Sequence, residues 1–219
     1  MAYSQKQIND FLQYYMSTII QQDSQANQQN PPQHSNNPIA IDFDKVVADN
    51  IPKLQEWTPF KTYERIYDSK TDCTLNSFVK AVMHKENVFV ILNDTFGNVF
   101  GGFAKRPIVN LADTTRYTEN YDVDHYLFVL FRDGRNTEQK MFRASQNGSG
   151  FFIYSNGTFW LDIGNHLGRI CVTTPGTNQS YNRNLKSAYQ GIEETDVNGL
   201  NGMFQTYTVD RIIVLKTEI

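Results

Sequence analysis

Val88-Phe-Val-Ile-Leu-Asn-Asp-Thr-Phe-Gly-Asn-Val-Phe-Gly-Gly-Phe103 decides how the chain folds. Five apolar residues run without a break from Val88 to Leu92, and β-branched and aromatic side chains of this kind fit a sheet buried on both faces. Asp94-Thr-Phe-Gly97 then carries a turn signal, and a second apolar run begins at Val99. Two strands joined this tightly make an antiparallel hairpin. The second strand holds Gly101 and Gly102 between aromatics. Glycine in a strand weakens it unless another backbone or ring comes close, so the pair predicts a tight contact and a structural role. Gly97 is expected to serve the turn.

The same pattern repeats outward from this hairpin. His125-Tyr-Leu-Phe-Val-Leu-Phe131 and Gln139-Lys-Met-Phe-Arg143 flank Asp133-Gly134. Phe151-Phe-Ile-Tyr154 and Thr158-Phe-Trp-Leu161 flank Asn156-Gly157, the strongest short hairpin signal in the chain. Tyr63–Tyr67, Arg169–Thr173 and Val209–Leu215 read as further strands. Leu75 to His84 has helical spacing with Thr74 as N-cap. Pro52 is expected to split the apolar pattern of Ile41–Trp57 into two short helices or one bent one. The polar stretch Pro175–Gly202 reads as long loops. Strands joined by tight turns, with few helices, predict an α+β fold: an antiparallel β-sandwich flanked by short helices.

Two segments precede this domain. Ile8, Phe11, Tyr15 and Ile19 recur at three- and four-residue spacing and predict an amphipathic helix over residues 1–20. Its stripe is a candidate docking surface for a second copy or a partner helix, with packing on its own domain as the alternative. Residues 21–38 hold ten Gln or Asn and three Pro, a composition that builds no core and predicts a linker. The domain proper is expected over 41–219, with its core in 62–219.

Bulk properties narrow the function. A net charge of −3 lacks the cationic excess of a nucleic-acid footprint. Lys105-Arg106 and the set Arg169, Arg183 and Lys186 are the candidates for a local basic face. No signal-peptide pattern opens the chain, and no run approaches the roughly 20 apolar residues of a membrane span. The expectation is a cytoplasmic protein, with the nucleus as the alternative.

Chemistry leaves little trace. The two cysteines, Cys73 and Cys171, form no Cys-x-x-Cys, which gives a thiolate zinc site no support. Cys73 follows a turn-like Asp68-Ser-Lys-Thr-Asp and is the candidate redox thiol. Asp122 with His125 and Asp162 with His166 are acid–histidine pairs at metal-site spacing, and solvated pairs of this kind are commoner than metal ligands. Gly148-Ser-Gly150 precedes a strand, so it lacks the helix N-terminus of a phosphate cradle. No catalytic residue, metal or cofactor is expected.

The quoted hairpin, with its aromatic-Gly-Gly-aromatic strand, resembles the signature of the TLDc domain family. Ile66-Tyr-Asp-Ser-Lys-Thr-Asp-Cys-Thr-Leu-Asn-Ser-Phe78, Tyr126-Leu-Phe-Val-Leu130 and Leu200-Asn-Gly-Met-Phe204 resemble three further blocks in the family's order. The likeness covers roughly Thr62 to Ile219. It departs at Cys73, where the family usually has Gly. It departs also at Asn156-Gly-Thr-Phe-Trp-Leu161 and at Arg211-Ile-Ile-Val214, near the family's closing Glu-Val-Phe. The resemblance implies a non-catalytic interaction module linked to protection against oxidative damage. It also implies a protein assembly as partner, with the vacuolar proton-pumping ATPase as the family's example. A redox-active cysteine protein and a gene-regulatory nucleic-acid binder are the competing readings.

Overall fold

The computed structural model describes residues 38–109, 117–119, 122–145, 150–154, 157–200 and 205–218, except for the side chains of 117–119 and 136. The chain divides into two units, Met1–Ser35 and Asn36–Ile219, and the described residues belong to the second. The docking stripe Ile8, Phe11, Tyr15 and Ile19 lies outside them, as does the linker up to residue 37.

The elements in order are α1 (Phe43–Trp57), β1 (Thr62–Asp68), α2 (Leu75–Val82), β2 (Val88–Asp94), β3 (Val99–Ala104), β4 (Tyr117–Glu119), β5 (Tyr126–Arg132) and β6 (Arg135–Arg143). They continue as β7 (Gly150–Tyr154), β8 (Phe159–Gly164), β9 (Arg169–Thr173), β10 (Asn178–Arg183), a 3₁₀ turn (Leu185–Ser187) and β11 (Thr206–Glu218). All the ladders are antiparallel, along the path β4-β7-β8-β9-β10-β11-β2-β3-β5-β6. The 13-residue β11 belongs to both halves. Thr206–Thr208 pairs with β10, Val209–Lys216 pairs with β2, and β1 lies along the other side of Ile213–Glu218.

The two halves face each other as a sandwich. Val90, Leu92, Phe100 and Leu127 of one meet Phe151, Leu161, Ile163 and Val172 of the other in a single buried cluster. The first half is covered on its other face too. Phe89, Ile91, Phe103 and Phe128 pack there against Phe43, Val47 and Leu54 of α1. Burial on both faces is why β2 reads as an unbroken apolar run. α2 begins at Thr74, whose hydroxyl caps Ser77 N–H at 3.3 Å, and it sets Phe78 edge-on to Tyr67 and beside Trp160.

One expectation is narrowed to one of its alternatives, and one needs correction. One helix runs through Pro52, which lies on its exposed face, so the carbonyl of the exposed Ala48 four residues earlier is open to water. The stretch taken as loop contains β10, whose inward residues Ser180 and Asn182 are polar yet buried. The Ser180 hydroxyl accepts from Thr173 N–H at 3.1 Å. The Asn182 amide donates to Asn198 at 2.9 Å and accepts from the Tyr207 hydroxyl at 3.3 Å. Satisfied in this way, the polar groups are tolerated inside.

The hairpin glycines sit at close approaches. A Cβ on Gly102 would lie 2.5 Å from Ile163 Cγ2 and 3.0 Å from Phe151 Cε1, both on the opposing sheet. One on Gly101 would lie 1.9 Å from the Val90 carbonyl oxygen. Gly97 takes φ +74° and donates its N–H to the Asp94 carbonyl at 3.1 Å.

Candidate functional site

The sheet divides along β11, and that division makes the site. After Thr208 the strand leaves β10, and its register against β2 slips between Val209 and Arg211. β1 takes up pairing only from Ile213. Asp210 and Arg211 therefore occupy a bulge with no strand on one side, a place where bulges commonly re-aim side chains. The backbone there is still served. Gly176 N–H donates to the Val209 carbonyl at 2.8 Å, and Ser69 accepts Ile212 N–H on its hydroxyl while donating its own N–H to the Ile212 carbonyl, both at 2.9 Å.

Arg211 uses the bulge to reach two other elements. Its guanidinium donates to both carboxylate oxygens of Asp44 in the first turn of α1, at 2.8 and 3.1 Å. It donates to both oxygens of Asp68 at the end of β1, with Nε at 2.8 Å from Oδ1. Two bidentate forks on one guanidinium form a geometrically specific clamp. Arg65 joins from β1, with Nη1 2.8 Å from Asp44 and 3.0 Å from Asp68. The guanidinium also lies 5.5 Å from the centre of the Phe43 ring. Arg211, helped by the backbone N–H of Lys70, holds the Asp68 carboxyl down at about 2. The Asp44 carboxyl is lowered by the same guanidinium, and the Arg211 pKa is raised in turn.

Beside the clamp lies a cleft of about 460 Å³. Its walls come from the start of α1, the turn after β1, the end of β2, the Pro175-Gly176 turn and the β11 bulge. Asn93 lines it while 6% exposed, and its amide nitrogen donates to Asp210 at 3.4 Å.

The residues singled out from sequence fall in different places. Cys73 lines this cleft and is exposed, but burial of its thiol and the neighbouring Asp72 push its pKa up, which disfavours the reactive thiolate. Cys171 is buried on β9, its thiol raised by burial and by Asp162. The acid–histidine pairs are not brought together as ligand sets. Asp122 accepts the backbone N–H groups of Lys105, Arg106 and Asp124. His125 turns inward to the Tyr189 hydroxyl at 2.9 Å, and burial drives its pKa down to about 3. Asp162 faces Arg169 at 3.1 Å and accepts the Tyr154 hydroxyl at 2.7 Å, while His166 sits exposed on the following turn. Among the described residues no three His, Cys, Asp or Glu groups gather as a metal site. The proposed basic face is largely compensated, since Lys105 pairs with Asp124, Arg169 with Asp162 and Lys186 with Glu193.

Sequence reasoning missed Asp44, Asp68 and Asn93. Arg211 is 143 residues from Asp68 and 167 from Asp44, so no local motif could join them. The available signal was Asp210-Arg211, two charges inside the otherwise apolar run Val209–Leu215.

A family model described as the TLDc domain matches residues 46–197. No curated protein matches the chain. The matched span takes in the hairpin with its two close-packed glycines. The clamp straddles its limits, with Asp68 inside, Asp44 just before and Arg211 beyond.

Proposed function

The chain belongs to the TLDc domain family, and from that premise we propose that it is a non-catalytic interaction module that docks on a large protein assembly. The vacuolar proton-pumping ATPase is the partner we put forward, with protection against oxidative damage as the physiological output. The observation that carries this reading is the chemistry of the cleft. Its strongest groups are spent on one another, Arg211 on Asp44 and Asp68, and its thiol has a raised pKa. Nucleophilic catalysis needs an activated nucleophile next to a base, whereas recognition needs only a fixed shape and fixed charges. Among the described residues no helix is long and apolar enough to cross a membrane, so contact with a membrane complex would go through its protein surface.

The N-terminal stripe of Ile8, Phe11, Tyr15 and Ile19 extends the proposal as a second contact, for self-association or for a partner helix. Burying each such side chain is worth roughly 1.5–3 kcal/mol, which gives the segment reason to find a surface.

Co-sedimentation of the full chain with purified vacuolar ATPase tests the reading, together with the rate of ATP hydrolysis. Binding that changes the assembled fraction is the expected result, and peroxide consumption should be no faster than that of a Cys73→Ser, Cys171→Ser double variant. Cysteine-dependent peroxide turnover without ATPase binding would replace this reading with the redox one.

A further inference from the structure

We propose that the cleft beside Arg211 receives a lysine or arginine side chain from a protein partner. The inference rests on reading the chain as an interaction module and adds the chemistry that is recognised. Charge points one way. Outside the clamp, Asp42 and Asp210 line the cleft against Lys70. Arg211 is committed to Asp44 and Asp68, so it is not offered to an incoming anion. The Asp210 carboxylate is exposed, and among the described residues it meets only the amide of Asn93, at a long 3.4 Å.

A buried acceptor points the same way. Asn93 lines the cleft at 6% exposure, its nitrogen turned to Asp210 and its Oδ1, among the described residues, without a hydrogen-bond partner. Buried acceptors are rarely left so, and one in a cleft asks for a donor. A guanidinium or ammonium placed against Asp210 would pair with its carboxylate and stand beside the same amide. Both kinds of cation carry donors and no acceptor, which suits a site whose open groups accept.

The remaining walls fit the stem of such a side chain. Ile41, Phe43 and Pro175 give the cleft an apolar side, and lysine and arginine lay their methylenes along surfaces of this kind while the charged end meets polar groups. A volume of about 460 Å³ exceeds one side chain and leaves room for its flanking backbone.

The test is a titration of the full chain, followed by backbone amide NMR, with N-acetyl-Gly-Ala-Arg-Ala-Gly-amide and its Lys, Gln and Glu counterparts. The Arg and Lys peptides should shift the amides of Ser69, Asn93 and Asp210 saturably, and the Glu peptide should not. Asp210→Asn should weaken the Arg peptide about tenfold, the effect of losing one charge-assisted hydrogen bond. Lys70→Glu should strengthen it, because it removes a cation from the rim. Both positions are exposed, so an unchanged melting temperature certifies the fold of each variant. No saturable shift with the basic peptides, an equal response to Glu, or indifference to both substitutions would overturn the proposal. Basic-peptide binding without ATPase binding would sink the partner named above and keep this site. ATPase binding unchanged by Asp210→Asn would sink this site and keep the module.

Discussion

The β2–β3 hairpin and the β11 bulge lie in the same sheet and answer opposite demands. At the hairpin the backbone is pressed from both sides: an added Cβ at Gly101 meets the Val90 carbonyl, and one at Gly102 meets Ile163 and Phe151. At the bulge the sheet opens, and the gap between β10 and β1 becomes a cleft of about 460 Å³ edged by charge. Dense apolar contact stabilises but leaves nothing to recognise. A bulge held by a salt-bridge clamp contributes less to stability and presents a fixed set of polar groups. Stability and binding are therefore expected to respond to different substitutions.

The largest effect should come from the hairpin. Gly102→Val should destabilise by about 1–3 kcal/mol, the range for overpacking a filled site. At about 2–4 °C per kcal/mol for a chain of this size, the melt should fall by several degrees. Gly101→Ala should be at least as damaging, because the obstacle is backbone and cannot rotate away. A melt unchanged in both variants would erase the distinction between the two regions.

Arg211→Met comes next, at about 1–2 kcal/mol by chemical denaturation. It removes the better-buried of the two cations that Asp44 and Asp68 share and leaves them Arg65. The loss stays below the 3–5 kcal/mol of a fully buried pair because the Asp44 side chain is 46% exposed. A loss above about 3 kcal/mol would mean that the clamp belongs to the core.

Acid should act on the clamp before the core. Asp68 is held at about 2, below the roughly 3.9 of an aspartate in an unfolded chain. Its contribution is complete above about pH 4 and is lost as pH falls through about 2, since the unfolded chain takes up the proton first. Denaturation at pH 7, 4 and 2 should show about 1–2 kcal/mol lost over that window. The slope should flatten in Arg211→Met, and an identical slope in that variant would remove Asp68 from the explanation. The smallest effect belongs to Cys73→Ser, an exposed position, where stability should stay within about 0.5 kcal/mol.

The same contrast explains what could be read from the sequence. The hairpin was legible because every residue of β2 from Val88 to Leu92 is apolar and the two glycines have few other uses in a strand. β10 escaped because its buried positions are Ser180 and Asn182, which enter the interior on hydrogen bonds that hydrophobic patterning does not register. Pro52 left two short helices or one bent helix open, and its place on the exposed face, where water can serve the freed carbonyl, lets one helix continue. The cleft escaped for a further reason. Its clamp joins α1, β1 and β11 across most of the chain, and only folding brings the three together.

The division between stability and binding is tested most directly by melting Gly102→Val and Asp210→Asn side by side and measuring, on the same samples below their melting points, co-sedimentation with purified vacuolar ATPase. Gly102→Val should melt several degrees lower and bind as the unaltered chain does, while Asp210→Asn should melt unchanged and bind more weakly. A Gly102→Val chain that keeps its melting temperature and loses its partner, beside an Asp210→Asn chain that binds normally, would contradict the account.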